Sequence, residues 1–70
     1  MNLTTIAESK RLQSLIEENY RKLLVEYAPG SALQYKLSFQ DLIREVANGK
    51  KDMHIAEEIV QARYVEKLHA

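Results

Sequence analysis

Cysteine is absent from these 70 residues, which excludes disulfides and any thiolate metal site. Histidine occurs only at His54 and His69, too few for an all-histidine metal centre within one chain. A loop that cradles phosphate needs glycines close together, and the two present, Gly30 and Gly49, lie far apart. Neither sign of charge is in excess: ten Lys+Arg balance ten Asp+Glu. Nucleic-acid binders usually carry a basic surplus, because phosphate neutralisation supplies most of their affinity; here such a reading must rest on a local patch. Long apolar runs are missing too. The longest is three residues, as in Leu23-Leu24-Val25, far short of a membrane span. Met1 to Ile6 carry neither a basic region nor an apolar one, so no signal peptide is expected. Together with the missing cysteine, this makes a cytoplasmic location the expectation.

What remains is a chain that must hold its fold by packing alone. A protein of this length buries only about 60% of its unfolded surface. Small domains therefore lean on disulfides, a metal or a partner subunit. The first two supports are excluded on the grounds above, and the expectation is a homodimer or association with a larger protein. Zero net charge removes a barrier to self-association.

Two breaks divide the chain, Ala28-Pro29-Gly30-Ser31 and Asn48-Gly49-Lys50-Lys51-Asp52. Each of the three segments between and around them reads as a helix. In the first, Thr5 with Glu8 has capping-box spacing, and Ile6, Leu12, Leu15, Ile16, Tyr20, Leu23, Leu24 and Tyr27 recur at spacings near three and four. Val25 falls on the opposite, polar side. Pro29 disfavours helix at the residue before it, so this helix is expected over about 6–27.

In the second segment Ser31 and Gln34 offer another capping box. Tyr35, Phe39, Leu42, Ile43 and Val46 form a stripe, with Leu33 and Leu37 lying off it. Ser38 with Asp41 is an alternative start. One helix over 32–47 is expected, irregular near Leu37 and ended by Asn48-Gly49. The third helix, over 53–67, starts from Asp52 as N-cap. Its apolar arc of Met53, Ile55, Ala56, Ile59, Val60, Ala62 and Tyr64 is wider than one neighbouring helix needs. Val65 and Leu68 project opposite Ile59.

Chemistry-bearing constellations are few. His54 with Glu57 and Glu58 shares a helix face and has the spacing of metal ligands, but the matching carboxylates that di-iron bundles place on other helices are missing, and a solvated helix start accounts for the group. Glu17-Glu18 and Glu57-Glu58 are adjacent in sequence, so each pair diverges around its helix. No serine, threonine or lysine sits in a nucleophile context. Phe39 to Arg63 has the outline of a helix-turn-helix. However, Glu45 stands where that motif wants a small residue, and Arg44 and Asn48 stand where it wants apolar ones. Arg44, Lys50 and Lys51 make a modest basic patch beside the turn. A membrane-surface helix is disfavoured, because the first helix mixes Glu with its Arg and Lys and has neither Trp nor Phe opposite. Tyr20 and Tyr35 read as core; Tyr64 reads as an interface residue, since tyrosine suits such surfaces.

The expectation is an all-α, single three-helix domain spanning 1–70, a helical hairpin closed by a third helix, forming a dimeric helical bundle. It is expected to be a non-catalytic interaction or regulatory module without cofactor or metal, working through an apolar helical face. Ile55, Ile59, Val60, Tyr64, Leu68, Leu33 and Leu37 are the candidate interface residues. The alternative is a DNA-binding or DNA-associated regulator using the second helix, the turn and the third helix, with Arg44, Lys50 and Lys51 as its basic patch.

Overall fold

The computed structural model describes residues 2–69, and among them every regular element is an α-helix. The order is α1 (Leu3–Glu26), α2 (Pro29–Leu37), α3 (Gln40–Ala47) and α4 (Met53–Leu68). The all-α class stands. The second expected helix is two, α2 and α3, separated at Ser38-Phe39.

α1 is the axis of the molecule. Its 24 residues span about 36 Å at 1.5 Å per residue, matching the longest dimension of 37 Å. It starts earlier than expected. The Asn2 side chain accepts from the Thr5 amide at 2.9 Å, and the Thr5 hydroxyl answers the Asn2 amide at 3.3 Å. The capping box is therefore Asn2 with Thr5, not Thr5 with Glu8, because asparagine is the stronger cap and lies one turn upstream.

α2 and α3 return antiparallel to α1. Lys36 and Tyr35 on α2 meet Glu17 and Asn19 near the middle of α1, and Ile43 on α3 meets Ser9 near its start. α2 begins at Pro29, whose fixed φ and missing N–H suit the first helical position. Ala28 is extended at φ −63° and ψ 141°, as a residue before proline prefers. Ser31 is therefore inside the first turn, and no side chain caps α2. At the other end the Ser38 hydroxyl donates to the Tyr35 carbonyl at 2.7 Å. Ser38 thus closes α2 and does not open α3. The stripe Tyr35, Phe39, Leu42, Val46 runs unbroken across this junction, and all four are buried.

The turn after α3 has two nested hydrogen bonds, Lys50 N–H to the Glu45 carbonyl at 2.8 Å and Gly49 N–H to the Val46 carbonyl at 3.1 Å. This is the Schellman arrangement. It requires a left-handed residue, and Gly49 supplies it with φ 74°. Asp52 then caps α4, its carboxylate accepting from the amides of His54 and Ile55. α4 runs parallel to α1: Met53 and Glu57 lie beside Arg11 and Leu15, Gln61 meets Asn19, and the Tyr27 hydroxyl donates to the Leu68 carbonyl.

Three strands of chain thus run up, down and up around one core. Leu12, Ile16 and Leu23 of α1 meet Ala32, Tyr35, Phe39, Leu42 and Val46, with Met53, Ala56 and Val60 of α4 closing the third side. The Tyr35 ring packs edge-on to Phe39, centroids 4.9 Å apart, and to Tyr64 at 6.4 Å.

Candidate interaction surface

Two polar side chains lie inside this core. Asn19, 2% exposed, uses its amide nitrogen twice, donating to the Tyr35 hydroxyl oxygen at 3.1 Å and to the Gln61 side-chain oxygen at 2.7 Å. The Tyr35 hydroxyl in turn donates to the Val60 carbonyl at 3.1 Å. One amide and one phenol thereby join α1, α2 and α4. Burial pushes the Tyr35 phenol above its ordinary pKa, against the lowering effect of the Asn19 hydrogen bond. Ser9 is the second; its hydroxyl donates to the Ile43 carbonyl and accepts from Gln13. Sequence reasoning missed both. The signal was present: positions 9, 12, 16, 19 and 23 alternate spacings of three and four, so Ser9 and Asn19 sit in register with Leu12, Ile16 and Leu23.

Asn19 and Tyr35 are buried and direct these hydrogen bonds within the chain, with only the Gln61 end exposed, so the network holds helices together. What faces outward is different. Leu33 and Leu37 are 44% and 48% exposed, one helical turn apart on α2, on the side away from the core residues Ala32 and Tyr35. With Gly30, Gln34 and Ser38 they line an open, mainly apolar depression. Gln34 and Ser38 also belong to the neighbouring groove of about 340 Å³ between α2 and the end of α4, whose other walls are Tyr35, Arg63, Glu66 and Lys67. The depression and the groove are therefore one continuous surface. Among the described residues Arg21, Lys22, Lys36 and Arg44 have acidic partners, whereas Arg63 and Lys67, like Lys10, Arg11, Lys50 and Lys51, have none; Arg63 and Lys67 are the two that line this groove.

The remaining expected interface residues divide. Val60 is fully buried, and assigning it to an interface is corrected: it faces α1 and α2 at the centre of the core. Ile59 and Tyr64 are half-buried against the core, Tyr64 on Tyr35, so the broad apolar arc of α4 is largely covered within the chain. Ile55 and Leu68 are exposed at 50% and 37%. The Leu68 carbonyl is tied to Tyr27.

The basic patch is of mixed sign. Arg44 is paired with Asp41 on its own helix, and the shallow depression that it lines with Lys50 is also lined by Asp41 and Glu45. Lys51 is half-buried. On α4, His54 and Glu58 are exposed and Glu57 half-buried; among the described residues no group of three or more His, Cys, Asp or Glu is placed to hold a metal. No helix among them is long and apolar enough to cross a membrane.

On the opposite flank of α2, Lys36 bridges to Glu17 of α1 at 2.7 Å and lies 4.7 Å from the centre of the Tyr20 ring. The Lys36 hydrogen bond holds the Glu17 carboxyl below its ordinary pKa, with Arg21 adding to the effect and partial desolvation opposing it. This cation is spent on the fold. No family model matches the chain, and no curated protein and no solved structure matches it.

Proposed function

We propose that this chain is a small, non-catalytic protein-interaction or regulatory module of the cytoplasm, and that it works by presenting the outer face of α2. The observation that carries the reading is the exposure of Leu33 and Leu37, side by side on a short helix whose opposite face is fully used by the core. Burying the rest of two half-exposed leucines is worth about 1 kcal/mol each, and the adjoining depression and groove give a partner somewhere to seat. The core chemistry supports a binding role over a catalytic one: Ser9 and Asn19 hydrogen-bond to neighbouring helices and to flanking glutamines, and neither converges on a sheltered cavity as an active site requires. The cysteine-free sequence supports the location.

The face admits two kinds of occupant, a second copy of the chain or a different protein. Zero net charge sets no long-range repulsion between copies, so the homodimer is the first to weigh. The test compares the wild type with the double variant Leu33→Glu, Leu37→Glu. Light scattering over a concentration series reads self-association, and affinity capture from the native cell reads other partners. Association that the variant loses while keeping its helical content supports the module. A monomeric wild type that captures the same proteins as the variant contradicts it.

A further inference from the structure

We infer that the occupant of this face is an acidic amphipathic helix from another protein, laid along α2 with its carboxylates toward α4. The inference rests on the reading above and names the partner's chemistry. Three observations carry it. The apolar part is a pair, Leu33 and Leu37, spaced by four residues and so about 6 Å apart along the helix. A partner helix presents apolar residues at the same repeat, the usual helix-in-groove arrangement.

The second observation is charge. Arg63 and Lys67 have the same four-residue spacing on α4 and line the groove that shares Gln34 and Ser38 with the leucine depression. Neither has an acidic partner among the described residues. The neighbouring Glu66 leaves this wall with two cations against one carboxylate. A row of Asp or Glu on the partner's flank meets that surplus, and a guanidinium binds carboxylate through two parallel hydrogen bonds. A second copy meets it less well. A twofold contact sets the same patch against itself, and an antiparallel α2 pair would bring both cationic walls to one edge.

The third observation is Gly30. It lies in α2 on the outer face, one turn before Leu33. Its φ is not positive, since Gly49 alone among the glycines has that conformation, and a Cβ there would meet nothing within 4 Å. Neither backbone conformation nor packing within the chain requires glycine at this second residue of α2, yet glycine loses more conformational freedom on folding than alanine. Bare backbone at this point lets a neighbouring helix approach α2 closely.

The experiment is fluorescence anisotropy with a labelled, helix-stapled peptide carrying leucines one turn apart and a flanking row of glutamates, against the same peptide with lysines in their place. The acidic peptide should bind and the basic one should not. Binding should weaken with salt and fall roughly tenfold or more in Arg63→Glu, Lys67→Glu. Gly30→Ala gives an independent check: it should raise the melting temperature and still weaken the acidic peptide. Equal binding of both peptides, or indifference to the charge reversal, overturns the acidic partner and leaves the α2 face standing. Failure of both peptides, together with a concentration-dependent mass that Leu33→Glu, Leu37→Glu abolishes, makes the second copy the occupant and overturns this inference alone. Failure of both with a monomeric chain overturns the inference; the module reading falls with it only where the wild type and the Leu33→Glu, Leu37→Glu variant also capture the same proteins from the native cell.

Discussion

Replacing Asn19 with alanine removes the one amide that joins three helices. The side chain is almost fully buried and makes two hydrogen bonds, to Tyr35 and to Gln61. Each is worth about 0.5–1.5 kcal/mol net, and leaving a buried polar atom without its partner costs more. The Gln61 end is exposed and regains water. The Tyr35 end is buried, and its oxygen loses its donor. With the small void left behind, Asn19→Ala should cost about 2–3 kcal/mol. A domain of this size has only about 3–10 kcal/mol in total, so the melting temperature should fall by roughly 10–20 °C.

Asn19→Leu separates the polar contribution from the packing one. It refills the volume with apolar atoms, and the Tyr35 hydroxyl keeps the Val60 carbonyl as acceptor, so the cost should stay within about 1 kcal/mol. Urea and thermal unfolding followed by circular dichroism read all three proteins. A double-mutant cycle with Tyr35→Phe should give a coupling near 1 kcal/mol. A loss below about 0.5 kcal/mol for Asn19→Ala, or strict additivity with Tyr35→Phe, would refute the network as a stabilising unit.

Four further expectations use the same unfolding assays. Leu12→Ala, at a fully buried site, should cost about 2–5 kcal/mol, while Leu33→Ala on the outer face should change stability by no more than about 0.5 kcal/mol; similar losses at the two sites would mean that α2 is turned differently. Gly49→Ala should destabilise by about 1–2 kcal/mol, since a Cβ disfavours its left-handed conformation, whereas Gly30→Ala should stabilise by roughly 0.5–1 kcal/mol. The Tyr35 phenol is raised by burial, so below about pH 10 it is protonated both folded and unfolded. Above that the unfolded chain releases the proton first, stability falls toward the folded pKa, and Tyr35→Phe should lessen the fall. The Glu17 carboxyl is lowered by Lys36, so its contribution is present above its ordinary value and is lost as pH falls through the folded one; Glu17→Gln should flatten that acid limb in a series of urea midpoints.

Much of the architecture was legible in the residues. Pro29, Gly49 and Asp52 mark ends that the structure keeps, since each acts through local backbone chemistry that no distant contact overrides. The division of the second helix was not legible as a break. The stripe from Tyr35 to Val46 keeps its phase across Ser38-Phe39, so periodicity carries no trace of it; the off-stripe Leu33 and Leu37 and the capping spacing of Ser38 with Asp41 were the signs. Helix starts shifted because caps compete: Asn2 outranks Thr5, and Pro29 sets a first turn that contains Ser31. The site divided for a related reason. An apolar arc shows which residues avoid water, not which neighbour covers them. Val60 and Ile55 both belong to the α4 arc, yet one is core and the other open, because coverage depends on where α1 and α2 lie. Ser9 and Asn19 are polar, so a search for apolar periodicity skips them although their spacing places them inside.

The central claim is that the outer face of α2, with the Arg63–Lys67 wall beside it, is the surface this chain presents. Amide chemical-shift mapping while the acidic helical peptide is titrated in tests it most directly. The account predicts shifts concentrated at Gly30, Leu33, Gln34, Leu37, Ser38, Arg63 and Lys67. Shifts centred on Lys50 and Lys51, or spread evenly over α1, would contradict it.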